Sequence, residues 1–198
     1  MIKKHLIVLS APSGAGKTTV ARHLLTTFPE MRFSVSATTR SIRDGEVDGR
    51  DYVFLSRDEF RAAISRGDLI EYEEIFGNYY GTMRSQVRAG IERGDFVIFD
   101  VDVKGALSLR SAFPEDTLLI FVAPPSMDIL ERRLRDRHTE TDAQIAQRLA
   151  RAEMEMAHRE AFDVVLINDD LQRTLDAAER IVREAMLGSP TQPGLFEA

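Results

Sequence analysis

The stretch LIVLSAPSGAGKTTVARHLL, Leu6 to Leu25, decides how the rest of the chain is read. It opens with an apolar run and passes through a segment of small residues. It then continues as a pattern that sets Val20, Leu24, Leu25 and Phe28 on one helical face. A buried strand, a glycine-rich loop and an amphipathic helix, in that order, are the context in which a phosphate-binding loop works. Gly14 and Gly16 let the backbone wrap an anion with its N–H groups pointing inward. The helix beginning near Lys17 adds its dipole. Lys17 is placed to reach the β- and γ-phosphates of a nucleoside triphosphate, and Thr18 offers a hydroxyl to Mg²⁺. In the pattern G-x-x-x-x-G-K-[ST], Ala11 stands at the first glycine. That position lies at the strand exit and needs only a φ that a non-glycine residue adopts. The loop, Ala11, Pro12, Ser13, Gly14, Ala15, Gly16, Lys17, Thr18 and Thr19, is read as binding the phosphates of a nucleoside triphosphate. Such a loop names no acceptor, because motors and switches share it.

The chain has 198 residues, of which 43% are hydrophobic and 29% charged. That suits one compact domain with a real core and a soluble surface. A net charge of −6 argues against a general nucleic-acid binder, so any anion site is a local basic cluster. There is no cysteine, hence no disulfide framework, thiolate metal site or thiol nucleophile. The apolar run at the N-terminus is too short for a signal-peptide core, and no segment reaches the length of a membrane span. The expectation is a cytoplasmic protein without a membrane partner.

Further strand-like runs alternate with helical patterns. RFSVSAT and DYVFLS are short strand candidates, and Ser56 to Glu59 form a capping box that opens a helix to about Arg66. LIEYEEIF reads as a strand before a turn GNYYG. DFVIFDVD is a strand ending in acids, followed by a helix from about Lys104. TLLIFVAPP is another buried strand. Helices follow at about 126–136 and 141–160, the second opened by the capping box Thr141 to Gln144. DVVLIN is the last strand, 171–186 the last helix, and 188–198 a flexible tail without periodicity. Strands alternating with helices predict an α/β fold with a mainly parallel sheet flanked by helices. Residues 35–83 read as an inserted, mixed β lobe, about 133–148 as an arginine-rich helical lid, and 1–34 with 84–187 as the core of a single domain over 1–187.

The acceptor is sought in SVSATTRSIRDGEVDGRDY, residues 34–52, and EYEEIFGNYYGT, residues 71–82. Arg40 and Arg43 lie three apart in a turn-rich loop and can both fork onto one phosphate. Tyr52 and Tyr80 can each donate a phenolic hydroxyl. Taken singly, each of these is a solvated charge or a packing ring. Taken together, the segments resemble the guanylate kinases, P-loop enzymes that phosphorylate GMP. The shared pattern is TTR-x-x-R-x-GE-x-x-G-x-DY with GNYYG, and it extends through FDVDVKGA, PPS, RLRDRHTET and VLINDD, nearly the whole chain. Ile42, where many relatives have proline, and His138, where a glycine is usual, are departures.

The resemblance implies that Arg40, Arg43, Tyr52 and Tyr80 hold the GMP phosphate. It implies that Glu71 reads guanine, whose adjacent N1–H and N2 amino group suit a carboxylate as no adenine edge does. Ser36, Thr82 and Asp102 match positions near the base. Arg133 and Arg137, four apart on one helix face, and Arg148 match the lid arginines that close over the transferring phosphate. Asn168 matches a position near the ATP adenine. Asp100, at the end of FVIFD, can orient Mg²⁺ through water or instead cap the next helix.

The implied reaction is γ-phosphoryl transfer from ATP to GMP with Mg²⁺; dGMP and the oligomeric state are left open. The phosphate nucleophile has a second pKa of about 6, so no general base is needed. The scattered His5, His23, His138 and His158 fit that expectation. A kinase for a ribose bisphosphate would not require Glu71, Ser36 and Thr82 together. Guanylate-kinase-like scaffold modules typically lack a working loop, whereas Lys17 and Thr18 are present here.

Overall fold

A computed structural model describes residues 3–75, 77–136, 141–188 and 194–197. The strands are β1 (Leu6–Ser10), β2 (Met31–Phe33), β3 (Ala37–Thr38), β4 (Val53–Phe54), β5 (Leu69–Ile75), β6 (Asn78–Met83), β7 (Phe96–Asp100), β8 (Thr117–Ala123), β9 (Val164–Ile167) and β10 (Gly194–Glu197). The helices are α1 (Lys17–Thr27), α2 (Arg57–Arg66), α3 (Arg84–Arg93), α4 (Val103–Ala112), α5 (Met127–Arg135), α6 (Asp142–Met156) and α7 (Leu171–Leu187).

Six strands form a parallel sheet in the order β10-β9-β8-β1-β7-β2. Every residue of β1 is buried, as expected for a strand covered on both faces. Successive side chains leave opposite faces. Ile7 and Leu9 therefore pack with Val20 and Leu24 of α1 and Ile181 and Val182 of α7. Leu6 and Val8 pack with Phe99, Leu109 of α4 and Phe121. Full burial of each such side chain contributes about 1.5–3 kcal/mol. The α/β reading of the sequence is borne out, and the central strand delivers the chain directly into the phosphate-loop segment.

The other four strands form a mixed sheet, β4-β3-β6-β5. α2 covers it, with Phe60 fully buried and stacked on Tyr79 at 5.3 Å between ring centroids. The capping box at Ser56 and Glu59 forms, as does the one at Thr141 and Gln144.

Four details differ from the sequence reading. RFSVSAT is not one strand: β2 pairs with β7 in the main sheet and β3 with β6 in the small one. The polar residues Ser34 and Ser36 mark the change of sheet. GNYYG is mostly strand, because Asn78 already pairs with Ile75 and β6 runs on from there to Met83. The helix after β7 starts one residue early and is capped by Asp102, whose side chain accepts from Gly105 N–H at 2.8 Å. Finally, the tail is not featureless: Gly194–Glu197 pairs in parallel with β9 as an edge strand. A four-residue strand is too short to show a period in the sequence.

Candidate active site

The phosphate loop spans the gap between β1 and α1. Gly14 and Gly16 have φ of +97° and +107°, a region that favours glycine. A Cβ on Gly16 would also collide with the Asn168 amide. No side chain caps α1, so its first N–H groups are donors for an anion at the loop. Ala11 is only 6% exposed and packs in the core under α1 and α7, which accounts for a methyl group where the pattern has glycine.

Leu9 pairs with Asp100 in the β1–β7 register, so the acid at the end of β7 stands beside the loop. Lys17 Nζ lies 2.5 Å from Asp100 Oδ1 and donates to Val101 O at 3.2 Å. Read from the motif alone, these two residues have separate tasks; the fold makes them an ion pair. Asp100 does not cap α4, since Asp102 does.

Of the expected arginines, Arg148 reaches the loop itself and Arg133 reaches Asn168, which contacts the loop. Arg148 donates to Ser13 Oγ at 2.6 Å, and Arg133 donates to Asn168 O at 2.8 Å. Arg137 and His138 lie outside the described residues. Asn168 is 5% exposed, and both ends of its amide are engaged: Nδ2 donates to Ala15 O at 2.7 Å, and Oδ1 accepts from Thr174 Oγ1 at 3.2 Å. Its side chain therefore supports the phosphate loop from beneath.

On the small sheet, Arg40 makes two hydrogen bonds to Glu46, at 3.0 and 2.7 Å, and donates to Ser41 O. Its guanidinium sits 5.2 Å above the Tyr52 ring, which meets the Tyr80 ring edge-on. Glu46 also accepts from Arg43 N–H at 2.8 Å, while the Arg43 side chain is exposed. Arg40 and the Arg43 N–H together hold the Glu46 carboxyl below its usual range. Ile42 is 52% exposed, so a residue other than proline there disturbs no packing.

Glu71 of β5 faces Thr82 of β6 across the hairpin, and Thr82 Oγ1 donates to Glu71 Oε1 at 2.6 Å. Burial pushes the Glu71 carboxyl up. The Thr82 hydroxyl opposes that shift, and the carboxylates of Asp102 and Glu73 add to it. Gly105 lets α4 approach: a Cβ there would stand 3.3 Å from Asp102 Oδ1 and 3.5 Å from Glu71 Cγ. A cleft of about 540 Å³ joins Glu71, Ser36, Tyr80 and Asp102 to Lys17. A second, of about 740 Å³, runs along the loop from Ala11 to Thr19 beneath Arg148. The two meet at Lys17 and Asp100. One end therefore suits a polyphosphate, the other a base and its phosphate.

A sequence model described as guanylate kinase matches residues 3–185. The chain belongs to the guanylate kinase family. The guanylate kinase of Chlorobium luteolum is 49% identical over 177 residues, covering 89% of this chain and 88% of the relative. That of Chlorobaculum tepidum is 50% identical over 179 residues, covering 90% and 92%. Among solved structures, the guanylate kinase of Anaplasma phagocytophilum superposes with a TM-score of 0.67 at 35% identity, covering 94% of this chain and 88% of that one.

Within this guanylate kinase fold, two side chains matter that the sequence reading passed over. Glu46 lies in the quoted GE pair, three residues past Arg43, and its spacing to two arginines is the signal. The other is Arg151 of α6. It lies three residues past Arg148, hence on the same face of α6.

Proposed function

We propose that this protein transfers the γ-phosphoryl group of ATP to GMP, giving ADP and GDP. The observation that carries the reading is the single cleft that holds both Glu71, tethered by Thr82, and Lys17 of the phosphate loop. Glu71 with Asp102, Ser36 and Thr82 receives guanine; Arg40, Arg43, Tyr52 and Tyr80 receive its phosphate. The loop from Ala11 to Thr19 holds ATP, with Asn168 supporting the loop.

A GMP phosphate oxygen attacks the γ-phosphorus, the bond to ADP breaks, and ADP leaves with the electron pair. The nucleophile is already ionised, so no side chain must take its proton. The chain's task is alignment and charge neutralisation. Lys17, Arg133, Arg137 and Arg148 supply positive charge on the donor side. Closure of the small sheet and the lid over the substrates limits hydrolysis of ATP by water.

Mg²⁺ uses one or two protein oxygens beside phosphates and water. Thr18 in the loop and Asp100 beside it are a fitting donor set, with Asp100 acting through water. Bound there, the ion would neutralise charge on the transferring phosphates. A cysteine-free chain suits a reducing compartment, and we place the reaction in cytoplasmic purine nucleotide metabolism. Among the described residues, no helix is long and apolar enough to cross a membrane.

The test is ADP release with ATP and Mg²⁺ across GMP, dGMP, AMP, CMP, UMP and dTMP. Activity confined to the guanine nucleotides is expected. Equal rates on AMP and GMP would overturn the role of Glu71.

A further inference from the structure

The two clefts share four residues, Lys17, Asp100, Asp102 and Arg151. They form two pairs of opposite charge: Lys17 with Asp100 at 2.5 Å, and Arg151 with Asp102 at 3.7 Å. The first pair belongs to the phosphate loop. The second joins α6 to the cap of α4.

Arg148 and Arg151 leave one face of α6 in different directions. Arg148 reaches Ser13 in the donor loop; Arg151 reaches Asp102 beside Glu71. One rigid helix thus touches the donor half and the acceptor half. The Arg151 guanidinium is itself anchored, with Nε bonded at 3.0 Å to Glu155, whose side chain is 14% exposed.

Asp102 spends Oδ1 on the cap and turns Oδ2 toward Arg151. Three carboxylates, Glu71, Glu73 and Asp102, crowd this wall of the acceptor cleft, and Glu74 lines the cleft as well. Lys17 and Asp100 face it from the loop side, and Lys104 faces the same three carboxylates from the cavity behind them. Of these cations, Arg151 is the one paired with Asp102 among the described ion pairs.

We propose that Arg151 is a positioning residue for the acceptor: it fixes the free oxygen of Asp102 where the guanine edge arrives and offsets the crowding of negative charge there. The inference rests on the reading of Asp102 as a guanine-facing residue. It makes α6 a strut between the two substrates. A side chain that reads as a solvated charge then sets acceptor affinity.

The test is steady-state kinetics of Arg151→Gln, Arg151→Lys, Asp102→Asn and the double variant. Asparagine caps a helix as well as aspartate, so Asp102→Asn removes the charge and keeps α4. Arg151→Gln is expected to raise KM for GMP about fivefold, the upper range for a partly exposed ion pair. KM for ATP, kcat and Tm stay unchanged, and Arg151→Lys recovers most of the loss. In the Asp102→Asn background, Arg151→Gln has no further effect.

An unchanged KM for GMP in Arg151→Gln overturns the proposal. So does a fall in kcat at constant KM, which would put the guanidinium on the transferring phosphate. So does an equal effect of Arg151→Gln with and without the Asp102 carboxylate. If Asp102→Asn alone leaves KM for GMP unchanged, the guanine-facing reading of Asp102 fails instead.

Discussion

The donor loop hangs from β1, a strand buried along its whole length at the middle of a six-stranded sheet. The acceptor residues sit on a small sheet in which β3 and β4 have two residues each. The two regions hold polar groups in place by different means. In the loop, the proposed binding groups belong to the backbone, and glycine geometry with a supporting amide from Asn168 sets its shape. In the small sheet, the proposed binding groups are side chains, and other side chains hold them: Glu46 holds Arg40, and Thr82 holds Glu71. A phosphate can be recognised by rigid main chain because every nucleotide carries one. The base-facing groups proposed here are side chains, and Glu71 among them has a partner in Thr82.

The comparison can be broken at its charged centre first. Lys17→Ala removes the cation nearest the loop and leaves Asp100 without its partner. Turnover in an ADP-release assay is expected to fall by about three orders of magnitude, the scale of a transition-state charge contact. Near-normal turnover would end the loop's catalytic assignment.

Glu71→Gln is the corresponding change in the acceptor half. The amide presents an N–H donor to guanine donors, so kcat/KM for GMP should fall about 100-fold while ATP affinity, measured by titration, stays within twofold. The same variant should be more stable at neutral pH. Burial raises the Glu71 carboxyl, so its ionisation opposes folding. That penalty is absent below about pH 4, where both folded and unfolded chains hold the proton, and it grows as pH rises to the raised folded value. The Tm gain of Glu71→Gln should therefore appear at neutral pH and vanish in acid. By the same sign, KM for GMP in the parent protein should rise as pH falls toward the raised value.

A smaller effect sharpens the claim that acceptor side chains depend on partners. Glu46→Gln keeps the shape beside Arg40 but removes the charge that holds its guanidinium. KM for GMP should change about tenfold, with KM for ATP constant. An equal change in both constants would mean that the two halves are not held independently.

The core of this fold was legible in the sequence because β1, β7 and β8 are long apolar runs and the loop has a strict spacing. The small sheet was legible only in outline. β3 and β4 are too short for a period of two to show, and the break at Ser34 to Ser36 falls inside an apparently continuous strand. Among candidate site residues, the sequence singles out those matching a spaced pattern, such as Arg40, Glu71 and Lys17. What the sequence hid was who holds whom. The Lys17–Asp100 pair spans 83 positions in the chain, and the bond from Asn168 to Ala15 spans 153. No local pattern encodes contacts of that range.

The small sheet enters and leaves the core at neighbouring points, since Ala37 pairs with Gly81 and β6 runs straight into α3. It is thus inserted like a cassette, with both ends at one seam. Replacing residues 37 to 83 as a block would exchange most of the acceptor chemistry and leave the donor loop and its six-stranded frame intact. Evolution or design can then change what receives the phosphate without rebuilding what delivers it. The parts to be retuned outside the cassette are Ser36 at its entry and the short rim at Asp102.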